Sequence, residues 1–189
     1  MNTMSLKSII IAALLISVSG VASAAGEAAC RLSRDRAAGV KTSVVNAVAQ
    51  FDTASGWVDG LSNKFCKFQN AENNLGLIDL QTLSSKKPSI AATYLLSGLD
   101  MVELEKVIPE KFEGNPGTLF CQALAGSSIT RYTSGGFATK EGQDEVCVFG
   151  DGSKISIWVL VYTSDDPDYL SMRKAVRSQP LAINLPYMK

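Results

Sequence analysis

Four cysteines, Cys30, Cys66, Cys121 and Cys147, constrain this chain more than any other feature. What they mean depends on compartment, and the start of the chain bears on that. Lys7 supplies a positive charge, Ile9 to Val21 is a short apolar run, and Ala22-Ser23-Ala24 offers small residues for cleavage. The run is shorter than the about 20 residues a bilayer-spanning helix needs. The pattern reads as a secretory signal peptide over residues 1–24. Lipid attachment at Cys30 fits poorly, because the charged Glu27 lies just before it. An exported chain meets an oxidising compartment, where an even number of cysteines reads as two disulfides. Three pairings are possible. The sequential one, Cys30–Cys66 and Cys121–Cys147, is favoured because each bridge then closes within its own half. In the chain-entropy model each loop contributes about 3–4 kcal/mol before strain is subtracted. A metal site built from the four thiolates would lack any C-x-x-C spacing. The expected address is the periplasm or the exterior of a bacterium.

The chain has no histidine. Ser-His-Asp and Cys-His catalysis, histidine metal ligands and the commonest general base near neutrality are therefore excluded. With 18 basic and 18 acidic residues there is no basic stripe of the kind nucleic acid requires. After the signal segment, no apolar run is long enough for a membrane span. The mature length suits one ordinary domain or two very small ones.

Along the chain, Val40, Val44, Val48 and Phe51 recur at three- and four-residue steps, which predicts a helix. Trp57, Val58 and Leu61 either continue it or lie in a turn near Gly60. Phe65 to Phe68 and Leu75 to Leu83 read as the strands of a hairpin. Ser85 and Pro88 mark a helix start, and Gly98 its stop. Asp100 with Glu103 predicts a capped second helix to Ile108. Residues 111–114 form a polar link between an N-terminal region, 25–114, and a C-terminal unit, 115–163. In that unit Pro116 opens a helix to Ala125. Strands follow over Ser127 to Thr133 and Glu145 to Phe149, with a turn at Ser134 to Gly136. Gly150-Asp151-Gly152 has tight-turn chemistry. Ile155 to Tyr162 is apolar on both faces and predicts a covered central strand. Asp166 and Pro167 start a last helix to about Arg177, and residues 164–189 end in an extended tail. The expected class is α+β: N-terminal helices with a β-hairpin, and a small C-terminal antiparallel sheet with a flanking helix.

Asn115-Pro116, Cys121, Gly126, Cys147, Phe149, Asp151-Gly152-Ser153 and Trp158 together resemble a short bacterial module. It is the hemolysin-labelled family called domain of unknown function 333. Its pattern runs Asn-Pro-Ala, Tyr-Cys, a Gly pair, Cys-x-Phe-Pro-Asp-Gly-Ser and a tryptophan. The likeness covers about a quarter of the chain. Here Gly117 and Gly150 replace an Ala and a Pro, Ala125-Gly126-Ser127 stands where a Gly pair is usual, and Ile155 replaces a further cysteine. The later partner of that cysteine is missing as well. The resemblance implies a non-catalytic module in which Cys121–Cys147 is the surviving bridge. No amphipathic pore segment or series of long barrel strands supports membrane lysis.

Other candidates reduce to local structure. Ser84-Ser85-Lys86-Lys87 and Ser171-Met172-Arg173-Lys174 both match an S-x-x-K pattern, but no S-D-N partner exists. Asp165, Asp166 and Asp168 lack the further ligands of a calcium loop and read as a helix cap. Trp57 and Trp158 read as core aromatics. Asp151, Gly152 and Ser153 form a possible recognition turn. No catalytic, cofactor-binding or metal-binding residue is assigned. The reading is an exported cell-envelope binding module whose partner is an envelope or extracellular protein. Two alternatives stand beside it: an inhibitor of a secreted protease or lysozyme acting through the Asp151–Ser153 turn, and a histidine-free enzyme using carboxylates or lysine.

Overall fold

The computed structural model describes residues 24–31, 40–69, 74–133, 143–162 and 167–189. The signal segment up to Ser23, the Ser134–Gly136 turn and Asp165 and Asp166 lie outside these residues. Six strands form the framework: β1 (Lys41–Thr53), β2 (Gly56–Gln69), β3 (Asn74–Asp79), β4 (Ser128–Thr133), β5 (Gln143–Val148) and β6 (Lys154–Ser156). They close into an antiparallel barrel in the order β1-β2-β3-β6-β5-β4. Helices α1 (residues 24–31), α2 (Leu80–Ser84), α3 (Ile90–Ser97), α4 (Met101–Leu104), α5 (Pro116–Ala123), α6 (Ile157–Tyr162) and α7 (Pro167–Ala175) complete the described chain.

The α+β class with two disulfides holds, and Phe65–Gln69 pairs with Asn74–Asp79 as the expected hairpin, although Leu80 to Leu83 is helical; what does not hold is a small C-terminal sheet of its own. Strands from both sides of residue 114 share one closed barrel. Two segments account for the difference. Val40 to Phe51 forms a strand rather than a helix. Val45, Ala47 and Ala49 turn to one face and Val44 to the other, so both faces are apolar and the two-residue period is hidden. The β-branched valines then settle the choice. Conversely, Ile155 to Tyr162 begins as a short strand and turns helical at Ile157. A continuous apolar run carries no period that separates a buried strand from a buried helix.

Two apolar clusters divide the molecule. One contains strand residues only: Ala47, Ala49, Phe65, Leu77, Tyr132 and Val146, with Val45 against them. It fills the barrel lumen. The other joins the outer wall, through Cys66, Phe68, Ile78, Cys147 and Ile155, to helix residues such as Tyr94, Leu95, Phe120 and Leu160. Both disulfides lie in this outer layer. Cys30 of α1 bonds to Cys66 of β2, and Cys121 of α5 bonds to Cys147 of β5. Each therefore fastens a helix to the barrel wall, in the expected sequential pairing.

The caps follow the sequence closely. Asp100 Oδ1 accepts from the Glu103 amide at 3.2 Å, and Asn115 Oδ1 accepts from the Gly117 amide at 3.0 Å. Ser89 rather than Ser85 caps α3, accepting from Ala92 at 3.2 Å. Among the described residues, no helix is long and apolar enough to cross a membrane.

Candidate functional site

The β1–β2 hairpin outruns the barrel. β1 pairs with β4 only at Val48, Ala49 and Gln50, and β2 pairs with β3 only from Phe65 to Gln69. Between these seams and the turn at Gly56, whose φ of 105° suits glycine, no other strand pairs with the hairpin among the described residues. Its large apolar side chains are unburied: Phe51 is 50% exposed, Trp57 47%, Val58 49% and Leu61 81%. Scattered single hydrophobics on a surface are ordinary, but four within one projecting element, shared between its two faces, set it apart. Trp57, a core residue by its sequence reading, lies instead half exposed beyond the barrel mouth, where no helix of the described residues covers it. Trp158 does pack on the core and stacks on Tyr162 at 5.7 Å.

Local bonds hold the hairpin in shape. Thr53 Oγ1 donates to the Gly56 carbonyl at 2.6 Å. On one face Gln143 Nε2 donates to Gln50 Oε1 at 2.7 Å, and Gln50 Nε2 donates to Asp59 Oδ1 at 3.1 Å. The Arg131 guanidinium lies 4.7 Å from the Trp57 ring centre, a cation–π contact. On the other face Phe51 lies over Gly60, where a Cβ would come within 2.4 Å of its ring. The absent side chain at Gly60 is what lets the ring lie flat on the strand.

The second polar constellation is inside the barrel. Asp144 on β5 is 2% exposed. Its Oδ2 accepts from Ser156 Oγ at 2.6 Å, and Oδ1 has no hydrogen-bond partner. The same Ser156 oxygen accepts from the Leu77 amide at 2.6 Å. Burial pushes the Asp144 carboxyl up to about 7, with the Glu145 charge adding and the Ser156 hydroxyl, Lys67 and the Glu145 amide opposing. Asp79, also buried, caps α2 through the Thr82 amide at 3.4 Å. Burial raises it to about 6 against the pull of Lys154. Burial lowers Lys67, with Asp144 opposing, and raises Tyr132, with Asp79 adding. Asn63 Nδ2 reaches the Tyr132 hydroxyl at 3.3 Å.

The Asp151–Ser153 turn does connect β5 and β6, but its side chains bond to the start of α3, Ser153 while buried and Asp151 while still exposed. Asp151 Oδ2 accepts from the Ile90 amide at 2.8 Å, and Oδ1 accepts from the Ser153 amide at 3.0 Å. Ser153 Oγ accepts from the Ala91 amide at 3.1 Å. The turn thus satisfies the free amides that open α3, while Gly152 takes the positive φ of 82°. Ser84 Oγ donates to the Leu80 carbonyl at 3.1 Å, and Ser85 Oγ accepts from the Lys87 amide at 3.0 Å. The first S-x-x-K match is therefore turn chemistry. Among the described residues no group of three or more His, Cys, Asp or Glu could hold a metal.

Sequence reasoning missed both constellations. The hairpin had a usable signal in Thr53-Ala54-Ser55-Gly56, a turn of small and polar residues that follows the valine-rich stretch from Val44 to Val48. The lumenal carboxylates had none, because an isolated Asp in an alternating strand looks like a solvent-facing residue until the sheet closes. No family model, no curated protein and no solved structure matches this chain.

Proposed function

We propose that this chain is an exported interaction module of the bacterial cell envelope and that the β1–β2 hairpin is its contact surface. The observation that carries the reading is the set Phe51, Trp57, Val58 and Leu61, exposed on one stiffened element. Aromatic and aliphatic anchors on a rigid frame are what protein interfaces use for affinity. The internal bonds of the hairpin reduce the ordering cost of binding. The edge of β2 from Gly56 to Lys64 carries no neighbouring strand on its β3 side among the described residues. It can offer main-chain groups to an extended segment of the partner. Two disulfides agree with an oxidising compartment, and we place the protein in the periplasm or outside the cell. The likeness of Asn115 to Trp158 to the hemolysin-labelled family belongs to this reading, since it brings a small module without assigned chemistry.

A photo-crosslinking amino acid at Leu61, in cells that export the protein, should give one discrete adduct. The same group at Lys111 is the control. The variant Trp57→Ser/Val58→Thr/Leu61→Ser should lose that adduct captured from Phe51, with unfolding free energy changed by less than about 1 kcal/mol. Labelling at Leu61 no stronger than at Lys111 would reject the hairpin as the contact surface.

The histidine-free enzyme comes second, favoured by the buried carboxyls Asp144 and Asp79 and by Lys67, which acts on Asp144. A substrate would have to enter a barrel filled by Phe65, Leu77 and Val146. The inhibitor reading is weaker, because Asp151 and Ser153 already spend their acceptor atoms on α3.

A further inference from the structure

The barrel's seams are unequal. β4 and β5 share six register pairs, β2 and β3 five, and β1 and β4 three. β3 and β6 share one, Ile78 with Ile155. Side chains make up the deficit at two points. Asp144 on β5 holds Ser156 on β6, whose hydroxyl oxygen takes the Leu77 amide of β3. Asp79 on β3 caps α2 at Thr82, and Thr82 Oγ1 meets the Lys154 amide of β6 at 3.3 Å and its carbonyl at 3.4 Å. Both braces of the weakest seam end on a buried carboxylate.

We propose that the β3/β6 seam is a pH-sensitive latch, closed while Asp144 is protonated and loosened when Asp144 ionises inside the lumen. The geometry supplies the reason. A buried carboxylate is tolerated when donors satisfy it. Ser156 donates to Oδ2 and the Glu145 amide adds a weaker pull on the carboxylate, while Oδ1 has no hydrogen-bond partner. Ionised, that oxygen gains from water, and the seam held by a single register pair is where the barrel yields at least cost. The charges that act on Asp144 are Lys67 from β2 and Glu145 beside it on β5, and Tyr132 on β4 lies directly across; Asp79 of β3 acts on Tyr132, and Lys154 of β6 acts on Asp79. β1 contributes only Val45, Ala47 and Ala49 to the lumen, and α2 and α6, packed beside the seam, bring no carboxylate or amine. Lys67 is thus the cation placed to favour ionisation, and Glu145 opposes it. The raised Asp144 pKa puts the transition near neutrality.

Hydrogen exchange on the intact, oxidised protein tests this at pH 5 and pH 8, corrected for intrinsic rates. Peptides covering residues 74–79 and 154–157 report the seam, and the β1/β4 seam is the internal reference. Opening at the β3/β6 seam should rise about 30- to 100-fold more than at the reference, the ratio expected for a carboxyl near 7 when closed and near 4 when open. Asp144→Asn should remove most of the seam's pH response and leave only the smaller part that Asp79 carries. Lys67→Met should keep the latch and move its midpoint to higher pH, a shift that mere structural damage does not produce. Equal pH response at both seams would overturn the latch, as would an unchanged response in Asp144→Asn. If Asp144→Asn does not fold, an unmoved midpoint in Lys67→Met overturns it on its own.

Discussion

Three aspartates divide the pH dependence of this fold between them. Asp79 and Asp144 are raised by burial to about 6 and about 7. Across the range from about 4 to those values the folded chain holds protons that the unfolded chain has released. Stability therefore falls as pH rises through that window and levels off above it. Asp151 acts in the opposite sense. Burial pushes it up, but hydrogen bonds from Ser153 and the Ile90 amide outweigh burial and hold it below its ordinary value. Its contribution is present above about 4 and is lost as pH falls further. Urea unfolding should thus find a maximum near pH 4–5. The loss between pH 5 and pH 8 should be on the order of 2–4 kcal/mol, since each tenfold change in proton affinity is worth about 1.4 kcal/mol. Asp144→Asn should flatten much of the neutral limb, and Asp151→Ala should flatten only the acid limb. A profile with its maximum at pH 8 would mean that the lumenal carboxylates are hydrated in the folded state. None of this is legible from residue types. Asp79, Asp144 and Asp151 look alike in the sequence, and only strand closure makes two of them interior.

Among the elements, local chemistry is legible in the sequence and period is not. Asp100, Pro116 and Gly98 sit where the sequence predicts a helix cap, start or stop, because capping needs only a few neighbouring residues. β1 and the β6–α6 segment escape the sequence reading because an apolar face on each side erases the period that tells strand from helix. The short β3 shows how tightly the elements meet. Gly76 has a φ of 137°, and a Cβ there would stand 2.7 Å from Val159 Cγ2 of α6 and 3.0 Å from Ser156 Oγ. The sheet and α6 can approach only because that position carries no side chain. Gly76→Ala combines backbone strain with a clash against a packed helix, and we expect it to cost about 2–4 kcal/mol. Gly60→Ala meets chiefly the ring of exposed Phe51, which can swing away, and should cost under about 1 kcal/mol. Paired denaturation curves would check the contrast, and similar losses at both sites would show that the α6 contact is not rigid.

At the scale of the molecule, the polar link at residues 111–114 suggests two halves, and each half does hold its own disulfide. The barrel nevertheless takes β1, β2 and β3 from one side of that link and β4, β5 and β6 from the other. Its lumen mixes Ala47, Phe65 and Leu77 with Tyr132 and Val146, and Phe65 meets Tyr132 edge to face at 4.9 Å between ring centres. Neither half can bury these residues alone: a three-stranded sheet leaves two open edges and an uncovered apolar face. The disulfides do not alter this, because each ties a helix to a strand of its own half and neither crosses the seams β1/β4 or β3/β6. Fragments 25–114 and 115–189, each oxidised, should therefore show little fixed near-ultraviolet circular dichroism alone. The intact chain should unfold in one transition by both circular dichroism and tryptophan fluorescence, since Trp57 and Trp158 sit on opposite sides of the link. Reducing agent should lower the midpoint of that transition without splitting it. Two resolved transitions, with Trp158 reporting one and Trp57 the other, would mean that the halves hold their folds without the shared lumen.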